Sequence, residues 1–387
     1  MVGRSELFAK LTCVTAIISI LILWQFGHLR WGLGKSFQHP AFLILVGFVM
    51  TAFAVFALKS DYVSKRTILL FSLVMFLGIL IRTVCILGSS IDVLVNDIPL
   101  ASLLAGKLLL SGNNPYGKAL MWRGLTDTPY AYLPLTLLYY LPFVAFAVDL
   151  RFGNLVADVL VFLAFFLTKR SQGTLFLGTV FFLFPIHLIE NVAGGNNDVI
   201  WTMFTVFSIL FILRNRPRLS GMFMGLSLAS KPFSLLAFPF VLFHLARKRR
   251  DDTRNWLITA VVTAALVMVP FLAWNWRGFV QSTIAYNLWF PNWVWTVQQR
   301  QIEYIGLGGI FYALGAESLL GVIQIGALVV LLASAWLEKD LTLEKTTSYV
   351  ATGLIIFVFA NRISAPHYYL PAIILFLLSI AIGKAES

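Results

Sequence analysis

Apolar runs of near-bilayer length recur along this chain from about residue 11 to about residue 382, and that recurrence leaves few folds open. A transmembrane helix needs about 20 predominantly apolar residues, and runs approaching that length repeat here with short polar breaks between them. Only 12% of the 387 residues are charged and 59% are hydrophobic, whereas a soluble domain carries about 25% charged residues. A soluble enzyme, a disordered chain and a fibrous repeat are therefore excluded. The longest polar-mixed stretch, 88–130, is itself half apolar, so residues 1–387 read as a single integral-membrane domain of all-α class.

Charge and cysteine usage narrow the function further. Two cysteines, Cys13 and Cys85, lie inside apolar runs, too few for a disulfide framework or a Cys-based zinc site. The five histidines stand singly, without the i,i+4 pairing of a helical metal site. No metal is expected to be needed, and no cofactor either. The net charge of +12 points to cytoplasmic loops and the headgroups of membrane lipids, not to nucleic acid. The first apolar run lacks a small-residue cleavage site after it and reads as a retained helix.

Apolar windows predict helices over 11–28, 41–58, 68–87, 131–148, 155–167, 174–192, 199–213, 256–274, 319–336, 347–360 and 368–382, giving about 12 crossings in all. The stretch 219–246 is bracketed by basic clusters at 214–218 and 247–250. Positive charge marks the cytoplasmic side, so both ends belong there and the stretch reads as a short helical hairpin turning near Ser230-Lys231-Pro232. Alternation from that anchor puts both termini inside and 88–130, 193–198, 275–317 and 361–367 outside. Lys169 and Arg170 conflict with two crossings over 131–167. Pro134 and Pro142 offer a re-entrant or broken first segment, tolerated where backbone is buried in protein.

The unusual polar residues gather in the external segments. Asp97, Pro99 and the leucines that follow predict a helix lying in the interface, ended by Gly112 and the Asn113-Asn114-Pro115 turn. Asp97 is either its N-cap or a carboxylate base facing a site, with Asp92 five residues ahead. Lys231, at the tip of a buried hairpin, is costly unless paired; it serves either an anionic ligand or a structural partner such as Glu190 or Asp198. Arg362, His367 and Arg300 are further candidates for a phosphate, since cations pair with phosphate oxygens through charge-assisted hydrogen bonds. Their bland alternative is snorkelling to headgroups. Asn196, Asn197 and Asp198 open a helix and serve either sugar hydroxyls or the helix dipole. Asp149 and Asp158 read as partners for Arg151 or as helix-packing groups. The tryptophan-rich run 289–295 reads as an interfacial belt, with stacking on a sugar face as its alternative.

In chain order, Asp97, Gly112-Asn-Asn-Pro-Tyr116, Tyr132-Leu-Pro134-Leu135, Gly195-Asn-Asn-Asp198, Gly221-Met-Phe-Met-Gly225 with Lys231-Pro232, and Pro366-His-Tyr-Tyr-Leu-Pro371 form a pattern. It resembles the GT-C superfamily of polytopic glycosyltransferases, most closely the bacterial branch of polyprenol-phosphate-mannose-dependent mannosyltransferases. The resemblance covers roughly 92–371. It implies inverting transfer of a hexose, mannose or a relative, from a polyprenyl-phosphate sugar donor to a lipid or glycan acceptor on the extracytoplasmic side, in glycolipid synthesis. It implies Asp97 as general base, with Asp92 in reserve. Lys231, Arg362, His367 and Arg300 then face the donor phosphate, and Asn196, Asn197, Asp198, Tyr116 and Tyr132 the sugar or acceptor. Two or three helices precede the acidic loop here, where many relatives have one.

No Gly-rich nucleotide loop and no Asp-x-Asp motif occurs, which disfavours a nucleotide-sugar donor. The alternative from another class is a secondary transporter or flippase for an anionic lipid or solute. Transporters often show two related halves, and no internal repeat is visible here.

Overall fold

In the computed structural model the described residues are 65–88, 97–122, 125–168, 178, 181–182, 192, 194–286, 307–316, 318–361 and 366–386. The helices expected at 11–28 and 41–58, and nearly all of 174–192, lie outside them. So do Asp92, Arg300, Arg362, Glu190 and the run 289–295.

Twelve α-helices occur among the described residues. They are α1 (Lys65–Leu87), α2 (Asp97–Leu110), α3 (Pro134–Ala145), α4 (Arg151–Thr168), α5 (Asp198–Leu213), α6 (Pro217–Leu228), α7 (Phe238–Lys248), α8 (Arg250–Val280), α9 (Leu307–Ala313), α10 (Ser318–Leu337), α11 (Leu343–Phe359) and α12 (Leu370–Glu386). Three of the described helical stretches, Arg151–Thr168, Arg250–Ala285 and Ser318–Leu337, are long and apolar enough to cross a membrane. The all-α, membrane character expected from composition is thus present, while a count of about 12 crossings is not what the described helices amount to. Helix α3 shows why. Its 12 residues rise only about 18 Å, well short of a hydrocarbon core of about 30 Å. Beyond it the chain turns through Ala147 in the left-handed region (φ 52°) and enters α4.

Helix α5 is the centre. Thirteen of its 16 residues are buried, as a helix that is apolar all round requires, and it packs against α4, α6, α11 and α12. Its few hydroxyls are spent locally or on α6: Thr205 Oγ1 lies 2.8 Å from Ser227 Oγ, and Ser208 Oγ 3.1 Å from Ser220 Oγ. On its other face α6 runs alongside α8 with Gly221 and Gly225 at the contact. A Cβ at Gly221 would stand 2.3 Å from the Trp256 carbonyl oxygen, and one at Gly225 2.4 Å from that of Ala260. Small residues let two backbones approach this closely. Gly225→Ala is therefore expected to lower stability by about 1–3 kcal/mol, the usual range for overpacking, as read from thermal unfolding in detergent.

Helix α1 is fastened to α4 by a fully buried ion pair, Arg82 Nε to Asp158 Oδ2 at 2.8 Å, with the guanidinium 3.9 Å from the Phe182 ring centroid. Asp149 pairs with Arg151, whose Nη2 also donates to the Ile86 carbonyl. Both aspartates are thus packing groups, one of them through a partner the sequence did not indicate.

Segment 88–130 departs from an all-helical loop. Helix α2 ends in a Schellman-type turn, with Gly112 at φ 75° and the Asn113 N–H on the Leu108 carbonyl. After it come β1 (Ala119–Trp122) and β2 (Leu125–Pro129), paired antiparallel with Leu120 opposite Thr128 and Trp122 opposite Leu125. The piece between Gly117 and Pro129 is too short for a useful helix, and Thr126 and Thr128 favour a strand.

The stretch expected as a hairpin breaks at Ala229-Ser230-Lys231, followed by a 3₁₀ turn (Pro232–Leu236) and α7. The basic turns before α6 and α8 meet, since Arg249 Nη1 donates to the Ile212 carbonyl. The turn before α11 joins them: Lys248 pairs with Asp340 at 2.5 Å, and Arg247 donates to the Glu338 carbonyl. There Lys248 and Lys345 hold the carboxyls of Asp340 and Glu338 below their usual range. Asp198 stands at the opposite end of α5, about 24 Å away along the helix.

Candidate active site

Four chain breaks converge at that far end: the turn before α5, the break after α6, the entry to α3 and the 3₁₀ turn Pro366–Tyr369. Each break leaves backbone polar groups that a continuous helix would satisfy, so side chains and neighbouring segments must supply partners. Gly195 adopts φ 73°, a conformation open to glycine without strain. This turns the chain so that Asn196, Asn197 and Asp198 all point into protein, exposed by 2% or less. Asn154 holds the turn from α4, its Nδ2 donating to the Asn196 carbonyl at 2.9 Å while its Oδ1 accepts from the Tyr140 hydroxyl.

Lys231 reaches this turn from the α6 break. Its Nζ lies 2.6 Å from Asp198 Oδ1 and 3.3 Å from Asn197 Oδ1. Both charged groups are buried, Asp198 completely. Desolvating an isolated ion costs several kcal/mol, and pairing is what makes a buried ammonium tolerable. Three rings surround the same ammonium, with centroids of Phe233 and Tyr368 at 5.2 Å and of Tyr132 at 5.8 Å. Trp201 Nε1 donates to Asp198 Oδ1 at 3.2 Å. Among the described residues Asp198 Oδ2 accepts no hydrogen bond; His367 Nε2 stands 4.0 Å from it. Asn197 Nδ2 is likewise buried without a hydrogen-bond partner. A buried carboxylate oxygen and a buried amide N–H₂ on neighbouring residues, both unspent, offer one acceptor and one donor to a polyhydroxylated ligand.

Of the residues read from sequence, Asn196, Asn197, Asp198, Tyr132, Lys231 and His367 therefore come together. Lys231 takes the structural partner foreseen as its alternative, so its charge is locally cancelled by Asp198. Tyr116 stands apart. It is fully buried among Tyr130, Phe271 and Phe279, and its hydroxyl donates to the Tyr132 carbonyl at 2.9 Å. Burial pushes that phenol well above its usual pKa, so it stays a donor. Asp97 is the first residue of α2, and the first turn of that helix meets the site: a Cβ on Gly195 would lie 3.0 Å from Pro99 Cγ. The sequence reading missed Phe233, Tyr368, Trp201 and Asn154. Trp201 carried a signal, three residues after Asp198 on the same helical face, and Tyr368 adjoins His367. Nothing local marked Asn154, which acts from another helix.

A family model, glycosyltransferase family 87, matches residues 126–360, more than half of the chain. The chain belongs to that family. Every residue of the Lys231 cluster except His367 and Tyr368 falls inside the match. No curated protein and no solved structure matches the chain. As a family 87 glycosyltransferase the protein is a membrane enzyme that takes a sugar donor and an acceptor, and among the described residues no group of three or more His, Cys, Asp or Glu could hold a metal ion.

Proposed function

We propose that this family 87 glycosyltransferase moves a hexose, mannose or a close relative, from a polyprenyl-phosphate donor to a lipid or glycan acceptor on the extracytoplasmic side. The observation that carries the reading is the buried Lys231–Asp198–Asn197 cluster walled by Tyr132, Phe233 and Tyr368, with the start of α2 docked beside it. An ammonium amid rings suits a sugar phosphate: the rings offer apolar faces to the C–H edges of the sugar, and an N–H of the Asp198-paired ammonium donates to the departing phosphate. Lys231 has three donors and directs two at Asp198 and Asn197, which leaves one for a phosphate oxygen. His367 and, in the same role, Arg362 and Arg300 supply the remaining charge. The support for this sidedness is the positive charge of the basic turns at the opposite end of the bundle, the charge that cytoplasmic loops carry.

In the reaction, the acceptor hydroxyl oxygen attacks the anomeric carbon as the bond from that carbon to the phosphate oxygen breaks. Configuration inverts, the lipid phosphate leaves with the electron pair, and the hydroxyl proton passes to the carboxylate of Asp97, with Asp92 as its reserve. A carboxylate within hydrogen-bond reach serves this step. Asn196, Asn197, Asp198 and Tyr132 hold the sugar or acceptor, and Tyr116 supports Tyr132 from behind.

The test is transfer by the liposome-reconstituted enzyme with a panel of polyprenyl-phosphate sugars and nucleotide sugars, product linkage being read by mass spectrometry. Transfer from a polyprenyl-phosphate hexose alone is the expected result. Transfer from a nucleotide sugar alone would overturn the donor assignment. Movement of labelled solute across the vesicle without a new glycosidic bond would return the protein to the transporter reading.

A further inference from the structure

Helix α8 carries a feature that the reaction above does not use. Asn275 leaves helical geometry (φ −156°, ψ 81°), and the helix restarts behind it. The Asn275 side chain bridges the break. Its Oδ1 accepts the N–H of Gly278, three residues on, which is the bond of an N-cap. Its Nδ2 donates in the other direction, to the Tyr116 carbonyl at 3.2 Å and 159 residues away in sequence. The same loop is held twice more. Gly117 N–H donates to Ser282 Oγ at 3.0 Å, and Gly117 and Gly278 touch backbone to backbone, where a Cβ on Gly117 would lie 2.7 Å from Gly278 Cα.

From Tyr116 the chain of contacts continues into the site. The Tyr116 hydroxyl holds the Tyr132 carbonyl, and the Tyr132 ring is one wall around Lys231. On its far side the start of α3 is anchored to the Lys231 turn, by Leu135 N–H on the Ala229 carbonyl and Thr136 Oγ1 on the Ser230 carbonyl. Helix α2 is likewise strung between two anchors: its first turn rests on Gly195, and the loop after its last turn is the one Asn275 grips.

We propose that Asn275 is a positioning residue: through Tyr116 it sets where Tyr132 stands against Lys231 and how α2, which begins with Asp97, is seated over the site. Its catalytic consequence rests on the glycosyltransferase reading above; its structural consequence does not.

Asn275 is itself exposed while Tyr116 and Gly278 are buried, so replacing it alters its two hydrogen bonds without repacking the core. Asn275→Asp still accepts the Gly278 N–H and keeps the cap, but it cannot donate to the Tyr116 carbonyl. Asn275→Ala loses both bonds. If the residue merely caps the restarted helix, the Asp variant behaves as wild type and only the Ala variant suffers. If it positions the site, both lose kcat by about 100-fold, the scale of a 1 Å misplacement, with a smaller change in donor KM. Tyr116→Phe removes the next link without altering ring volume and should match that loss, and the Asn275→Asp/Tyr116→Phe double variant should be no worse than either single. Amide hydrogen exchange over 132–136 should quicken in all three. Wild-type kcat and exchange in Asn275→Asp, or additive losses in the double variant, would overturn the proposal. Should wild type transfer no sugar at all, the glycosyltransferase reading falls, and the exchange measurement still decides the coupling.

Discussion

Asp97→Asn is expected to lower sugar transfer by about 10²–10⁴-fold, the usual contribution of a general base, without loss of the fold. The amide matches the carboxylate in size and cannot take a proton from the attacking hydroxyl. Asp97 is the candidate that the GT-C resemblance implies, and its helix begins beside the site. Pro99, two residues on, packs against Gly195, and Asn197 and Asp198 follow immediately behind that glycine. Single-turnover transfer in liposomes gives the rate, and thermal unfolding of the same preparation controls for structure. An unimpaired rate would withdraw the base assignment from Asp97 and pass the test to Asp92→Asn. A fall in rate accompanied by an equal loss of the folded fraction would mean that Asp97 serves only to start α2.

Lys231→Met carries the second large effect, and it divides into two parts. Removing the ammonium strands a fully buried carboxylate that, among the described residues, keeps the 3.2 Å bond from Trp201 and the more distant His367. Breaking one side of a buried pair costs about 3–5 kcal/mol, so the single variant is expected to unfold at a clearly lower temperature. Lys231→Met/Asp198→Leu removes both charges, and most of that stability should return, because a well-packed apolar pair is often as stable as the ion pair it replaces. Transfer should not return. Recovery of activity together with stability in the double variant would make the pair purely structural and strip Lys231 of its place at the donor phosphate. Comparing the two variants thus separates what the cluster does for the fold from what it does for the reaction.

Several elements could be read directly. Helices expected at 199–213 and 319–336 occur as Asp198–Leu213 and Ser318–Leu337, because an unbroken apolar run flanked by charge has little alternative to a helix in a bilayer. Other boundaries moved for local reasons. The run expected to end at residue 274 continues to Val280 because Asn275 caps the restarted helix with its own side chain. The hairpin of β1 and β2 escaped because nine mixed strand residues, split by a turn, carry no usable period. Tyr116 was grouped with ligand-binding residues on the strength of its motif, and it faces inward because Asn114 Oδ1 accepts its N–H and turns the ring into the Phe271–Phe279 cluster.

Membrane character and helical class were settled by the sequence alone, since each follows from transfer free energies summed over short stretches. Which ion neutralises Lys231, which rings enclose it, and how α8 reaches Tyr132 were decided only by tertiary structure. Lys231 and Asp198 lie 33 residues apart and Asn275 and Tyr116 159 apart. A contact between such groups depends on how whole helices pack, and packing depends on shape complementarity across many residues at once, which no local stretch of sequence encodes.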